Sequence, residues 1–375
     1  MESIQATTRP AAHTPGAQAP SFQQLAARFR PVFQRIAERA AQRENERELA
    51  YEPVAWLNAE RFGALRVPLE HGGLGGSVEQ LYDLLIELGE ADSNLPQILR
   101  AHFGFIERLL AEIDPALHGP WMRLAAEGVI FGNATTELGE GPLGELQTTL
   151  RRDGDAWRLD GVKSLVPFGR AAQLLLVAAR AGDGLGLFAV AGDADGLSLS
   201  AQRPLDPTSR FARLELSGVT ARRVGDEAAV RRALDVGAVL LGAEQVGGAR
   251  RTLEIASGYA RTRTQFGRPI GGFQAVKHKC ADMLLRTESA ASLAAYGAWV
   301  ADRPGEDLST VAPTVKSFCS EASLFCAATN IQVHGGIGFT WEHPAHLYFT
   351  RAKTSELLFG SPSQHLLRLA DALGV

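Results

Sequence analysis

The sequence predicts an α+β fold: a helical N-terminal domain, a central antiparallel β-domain and a C-terminal helical bundle. Three observations carry this reading. From Ser21 to about residue 128, apolar residues recur every three or four positions, the period of amphipathic helices. From about 129 to 222, short apolar or alternating runs are divided by Asp-Gly turns, the pattern of hairpin-linked strands. From 223 to 375 the chain consists of long Ala/Leu-rich segments broken mainly by Gly and Pro, which have the length of bundle helices. Helices, then strands, then helices, without βαβ alternation, exclude a Rossmann architecture.

Each element has a local reason. Residues 1–20 are rich in Ala, Pro, Thr and Gln and lack an apolar signal core, so they read as a flexible tail and not an export signal. An amphipathic helix runs from Phe22 to Ala41, and a second covers Ala55 to Phe62. Four glycines between Val67 and Gly76 forbid regular helix there. Ser77 and Gln80 then form a capping box that opens a third helix. Helical pattern resumes at Leu95–Leu110 and Gly119–Glu127. Strands are expected at Leu146–Arg152, Ala156–Leu159 and Leu174–Ala179, with turns at Asp153-Gly154, Asp160-Gly161 and Gly182-Asp183-Gly184, and β structure ends near Val219. Helices follow at 228–263, 272–302, 308–333 and 363–373.

Bulk properties narrow the function. A chain of 375 residues with 45% hydrophobic content can bury a large core in two or three domains. A formal charge of -4 offers no electrostatic case for nucleic acid or an anionic membrane as partner. Three cysteines, Cys280, Cys319 and Cys326, have no metal spacing and fit a reduced, cytoplasmic protein. No apolar run reaches the roughly 18 residues of a membrane span. No metal site is expected.

Two motifs carry chemistry. Arg263 stands three residues before Phe266-Gly267, near a predicted helix C-terminus. Its guanidinium could bind a pyrophosphate and Phe266 could pack on a planar ring; a solvated arginine before a C-capping glycine fits the same spacing. Gln332 to Gly338 joins an amide to three glycines, which let a backbone approach a phosphate or ribose closely; an ordinary interhelical turn is the plainer alternative. Both motifs together are more specific than either alone.

The segment Arg263-x-x-Phe266-Gly267 with Pro269, Phe273 and Gln274, then Cys280-Ala281-Asp282-Met283, resembles the R-x-x-F-G-x-P-I…F-Q…L-A-D-M segment of the acyl-CoA dehydrogenase superfamily. Gln332 to Phe339, then Glu342-His343-Pro344 and Arg351-Ala352-Lys353, resembles its Q-x-x-G-G-x-G-F…R-D-A-K segment. The resemblance covers nearly the whole chain after residue 21. It implies a helical N-terminal domain (21–128), a β-domain (129–222) and a C-terminal four-helix bundle (223–375). It further implies FAD contacts from Thr136, Arg263, Phe266, Gln274, Gln332, Gly335 and Gly336, and a homodimer or homotetramer that shares its cofactors across an interface. Implied partners are a small-molecule substrate such as an acyl-CoA and an electron-transfer flavoprotein.

The reacting end departs from the family. Its flavin-side Trp-Ile-Thr is Leu165-Val166-Pro167 here, and a serine and aspartate of the preceding loop are Pro142 and Leu143. The family's catalytic glutamate precedes a glycine seven residues after the lysine of R-D-A-K, a position held by Phe359. The alternative base position of some relatives aligns near Gly237-Ala238, also without a carboxylate. Glu244 and Glu356 are weaker candidates. His102 and Asn133 match positions of the dibenzothiophene-monooxygenase branch, whose members bind reduced FMN and depend on a flavin reductase. The sequence therefore leaves three functions open: an FAD-dependent acyl-CoA dehydrogenase lacking the usual glutamate, a two-component flavin monooxygenase acting on a sulfur or aromatic compound, or a non-catalytic partner subunit of a heteromeric acyl-CoA dehydrogenase.

Overall fold

The computed structural model describes residues 18–46, 51–112, 115–137, 146–154, 156–182, 184–206, 208–303 and 306–375. Pro142, Leu143 and most of the expected N-terminal tail lie outside the described residues. The chain opens with α1 (Phe22–Glu46), α2 (Tyr51–Ala59), α3 (Val78–Ala91), α4 (Leu95–Glu112) and α5 (Pro115–Ala126). The second helix both starts and ends earlier than its sequence pattern indicates. Arg61 is left-handed, with φ 63°, which interrupts the helix and starts a separate short turn at Phe62–Ala64. The capping box forms as expected: Ser77 Oγ accepts from the Gln80 amide at 3.1 Å, and Gln80 Oε1 accepts from the Ser77 amide at 2.9 Å.

Seven strands follow: β1 (Phe131–Ala134), β2 (Thr149–Asp153), β3 (Ala156–Pro167), β4 (Leu174–Ala181), β5 (Gly184–Ala191), β6 (Leu197–Ala201) and β7 (Phe211–Gly225). Their order is β1-β4-β2-β3-β7-β5, with β6 on β7, and β5 also pairs with β4, which closes the sheet into a barrel. The expected antiparallel sheet needs correction, because β1 and β2 both run parallel to β4. Neither is joined to β4 by a hairpin, so no turn imposes an antiparallel direction on them. The expected turn at Asp160-Gly161 is absent. β3 passes straight through it against β7 and absorbs the irregularity as a register shift between Leu159 and Gly161.

The remaining chain forms α6 (Glu227–Thr262), a small hairpin of β8 (Thr264–Gln265) and β9 (Arg268–Pro269), α7 (Gln274–Ala301), α8 (Leu308–His334), α9 (Ala345–Leu357) and α10 (Pro362–Leu373). The sequence pattern did not indicate α9, because only Ala345, Arg351, Ala352 and Ser355 of it are buried and they make no apolar stripe. One large apolar core joins α1–α5 to α6–α8 and the near face of the barrel. A second fills the barrel. Two smaller clusters, one at the far end of α6 and one around Phe359, mark the functional regions. No described helix is long and apolar enough to cross a membrane, and among the described residues no His/Cys/Asp/Glu cluster could hold a metal.

Candidate cofactor site and reacting end

The two sequence motifs meet at one end of the bundle. Ala256 and Ala260 of α6, Met283 of α7 and Cys326 and Val333 of α8 pack into one apolar cluster, joined by Tyr259, Ile270 and Val276. The Tyr259 ring stacks on His334 at 4.2 Å, and Lys279 Nζ donates to Gln332 Oε1 at 2.5 Å. Arg263 caps α6 through its amide, which donates to the Tyr259 carbonyl at 2.8 Å, and its side chain is exposed. Phe266 (φ 50°) and Gly267 (φ 77°) occupy the turn of the β8–β9 hairpin. Two successive left-handed residues are the requirement of a tight hairpin turn, so Gly267 is not a helix cap. The turn lifts Phe266 out of the fold, 91% exposed.

Gln274 opens α7, and Gly335 ends α8 at φ 67°, ψ -139°, a conformation reserved for glycine. No heavy atom lies within 4 Å of where a Cβ would stand on Gly335 or Gly336. A bare backbone beside an exposed arginine and an uncovered aromatic suits a dinucleotide, since each group offers what a pyrophosphate or a flat ring binds. Arg263, Phe266, Gln274, Gln332, Gly335 and Gly336 therefore share one surface region. Thr136 does not belong to it.

Thr136 follows β1, and its carbonyl accepts from the Ser164 amide of β3 at 2.9 Å. The neighbouring Glu137 accepts from Lys163 Nζ at 2.5 Å and from Thr148 Oγ1 at 2.6 Å. Burial works against the Glu137 charge, but the Lys163, Thr148 and Gln147 donors together outweigh it and lower the pKa. Next to Ser164, Leu165 packs in a small apolar cluster with Phe211, Leu241, Leu358 and Phe359. The two positions where the family pattern puts a base are in direct contact. A Cβ on Gly237 would fall 2.6 Å from Phe359 Cε1, so the glycine makes room for the ring. The Arg100 guanidinium lies 4.7 Å above the same ring, a cation–π contact.

Behind Phe359 is a buried ionic cluster that ties α4, α6 and α9 together. Glu244 lies 3.8 Å from Arg100 Nε and 3.7 Å from Arg351 Nε. Arg351 also donates to Ser209 Oγ, the Ser93 carbonyl and Asn94 Oδ1 at 2.6–2.8 Å and pairs with Asp206 at 3.2 Å. Burial drives Glu244 toward its neutral form and lowers Arg100 to about 10, with each ion offsetting part of the other's desolvation. Glu244 thus stands between two guanidinium groups at ion-pair distance, with neither carboxylate oxygen hydrogen-bonded among the described residues. Arg100 was not visible as a functional residue in the sequence; its one signal is a charge inside an otherwise apolar stretch of α4.

His102 is bonded into the core at both ring nitrogens. It is fully buried, its Nε2 donates to the Gly63 carbonyl at 2.8 Å, and its Nδ1 accepts from the Phe131 amide at 3.2 Å. Asn133 stands on β1 with its Oδ1 buried and unpartnered among the described residues. Burial lowers the His102 pKa from 6.5 to about 4. The unfolded chain therefore binds a proton below pH 6.5 that the folded chain refuses until about pH 4. Stability present above pH 6.5 is expected to fall by about 3 kcal/mol as pH drops through this window and then level off. Urea midpoints measured from pH 7 to 4 should show this slope, and His102→Asn should flatten it.

The family described as "Acyl-CoA dehydrogenase, C-terminal domain" matches residues 227–374. The chain is 33% identical over 327 residues to the acyl-CoA dehydrogenase IpdE2 of Mycolicibacterium smegmatis, across 86% of this chain and 89% of that protein. It is 46% identical over 165 residues to the IpdE2 of Mycobacterium tuberculosis, a match that spans 44% of this chain and about half, 48%, of that relative. A solved Tcur3481–Tcur3483 steroid ACAD superposes with a TM-score of 0.84 at 30% identity, over 94% of this chain and 99% of the other.

Proposed function

The chain belongs to the acyl-CoA dehydrogenase family of flavin-dependent oxidoreductases acting on CH–CH donors, and from that premise we propose that it is a cofactor-completing subunit without a catalytic base of its own. The observation that carries this is Phe359, which fills the base position and packs on Gly237, the other place where a carboxylate could stand. Dehydrogenation needs a carboxylate to take the substrate's α-proton, and a phenyl ring cannot accept one. FAD, when bound, supplies the hydride acceptor. Arg263 and the open Gly335-Gly336 backbone would hold its pyrophosphate, with Phe266, Gln274 and Gln332 beside them, and Thr136 would meet a flavin ring.

The length of α6 supports an assembly. Gly237 and Arg263 are separated by 26 positions, and at 1.5 Å per residue that is roughly 39 Å. This exceeds the reach of an extended FAD, so the two regions serve two cofactors and each FAD is completed by a second chain. A partner that supplies the missing carboxylate makes the complex a heteromer. The steroid ACAD to which this chain is similar names two components, Tcur3481 and Tcur3483, which supports such a pairing and makes steroid-derived acyl-CoA thioesters the substrates to test first. The monooxygenase reading loses its support, since both nitrogens of His102 are engaged in the core.

Anaerobic titration of the purified chain with acyl-CoA thioesters of several chain lengths, steroid-derived ones included, tests the proposal. The chain alone is expected to leave its flavin unbleached. Bleaching by any thioester would overturn it.

A further inference from the structure

The turn that carries Phe359 is held in an unfavourable shape from outside. Phe359 has φ 61°, a left-handed conformation that a bulky residue avoids and that persists only where surrounding structure imposes it. Three carbonyls around this turn, one in the last turn of α9, one in the linker and one at the start of α10, are contacted by side chains. His365 Nε2 donates to the Phe359 carbonyl at 2.8 Å, and Ser317 Oγ, which donates at 2.9 Å to the Pro313 carbonyl of its own helix, also lies 3.2 Å from that of Pro362. Lys316 Nζ, from α8, donates to the Glu356 carbonyl at 2.8 Å and to Ser320 Oγ at 2.9 Å.

Lys316 stands apart from the other two. It is fully buried, and the charged or titratable groups around it are Glu356 on α9, Cys319 on α8, Arg100 on α4 and His365 on α10. The Glu356 carboxylate is bonded by Lys353 at 2.6 Å, so the ammonium's own bonds go to a carbonyl and a hydroxyl, and the Glu356 charge reaches it only through space. Such burial is costly, and it lowers the Lys316 pKa to about 7. An apolar side chain would avoid that cost but could not hold the carbonyl.

We infer that Lys316 is a positioning residue: by anchoring the Glu356 carbonyl it keeps the Phe359 ring across Gly237 and holds this chain's own acyl-CoA site shut. The inference rests on the proposed reading that Phe359 fills the base position beside Gly237, and takes the ring as also filling the space an acyl chain would need there. Without the anchor the last turn of α9 is released, Phe359 relaxes out of its left-handed conformation, and the ring leaves Gly237.

The test is calorimetric titration of hexanoyl-CoA into the full chain, with any flavin spectral shift followed in parallel. The unaltered chain is expected to show no binding. Phe359→Ala, which deletes the ring, is expected to bind. Lys316→Met is expected to gain binding as well, by at least tenfold over the unaltered chain, although its Phe359 ring is still present; mere loss of structure would not produce a gain. If Phe359→Ala binds and folded Lys316→Met does not, the positioning role is wrong. If neither binds, the reading of Phe359 as a plug fails, and the inference with it. Should Lys316→Met fail to fold by circular dichroism, Lys316→Gln replaces it, with a donor one bond short of the carbonyl and the same two outcomes.

Discussion

Glu244→Ala is expected to destabilise the protein by about 3–5 kcal/mol, because it strands buried charge. Glu244 lies between Arg100 and Arg351, and all three are almost wholly buried. Arg351 keeps Asp206 after the substitution, at 3.2 Å, but Arg100 loses the carboxylate that offsets its desolvation. The loss should appear as a lower urea midpoint with an unchanged slope. Glu244→Gln preserves the volume and removes only the charge, so its difference from alanine isolates the cavity. Pairing Glu244→Leu with Arg100→Met removes both ions and should recover most of the loss, since a buried ion pair is often replaceable by apolar groups of similar size. An alanine variant as stable as the parent would show that the three ions are not coupled.

Arg263→Ala is expected to weaken FAD binding without altering the fold. Its side chain is exposed and only its backbone amide takes part in the helix cap, so truncation leaves packing intact. A charge-assisted bond to a phosphate contributes about 1.5–3 kcal/mol, which corresponds to roughly a 10- to 150-fold rise in Kd. Arg263→Lys keeps the charge but not the planar fork, and should fall between the two. Reconstitution of the apoprotein followed by flavin fluorescence measures all three. Equal affinities would remove Arg263 from the cofactor site.

Much of this architecture was legible in local sequence. Ser77 and Gln80 announce a helix start because a capping box needs only four residues. α6, α7 and α8 follow from long Ala/Leu-rich segments, despite glycines within α6 and Pro313 within α8, and their ends fall within a few residues of the pattern. The motifs that resemble the family's cofactor segments were recognisable for the same reason: an arginine at a fixed distance from Phe266-Gly267, and a run of glycines, are local arrangements. The errors were also local in origin. Gly267 looked like a helix cap because a tight hairpin and a helix end use the same residue. Asp160-Gly161 looked like a turn because nothing in the sequence shows that β7 stays paired across it.

What the sequence determined by itself was the succession of helices and strands, the likeness of two segments to those of the acyl-CoA dehydrogenase family and the absence of a carboxylate at Phe359. Tertiary structure alone decided what surrounds that position. Phe359 and Gly237 are 122 positions apart, yet the ring of one occupies the space that a side chain on the other would need. Glu244 and His102 could be read as catalytic from sequence, and only folding brings Arg100 and Arg351 to the one and Gly63 and Phe131 to the other. The physical reason is that helix caps and turns are satisfied by bonds within a few residues. The state of a buried charge, or the filling of a cavity, depends on groups that only folding brings together.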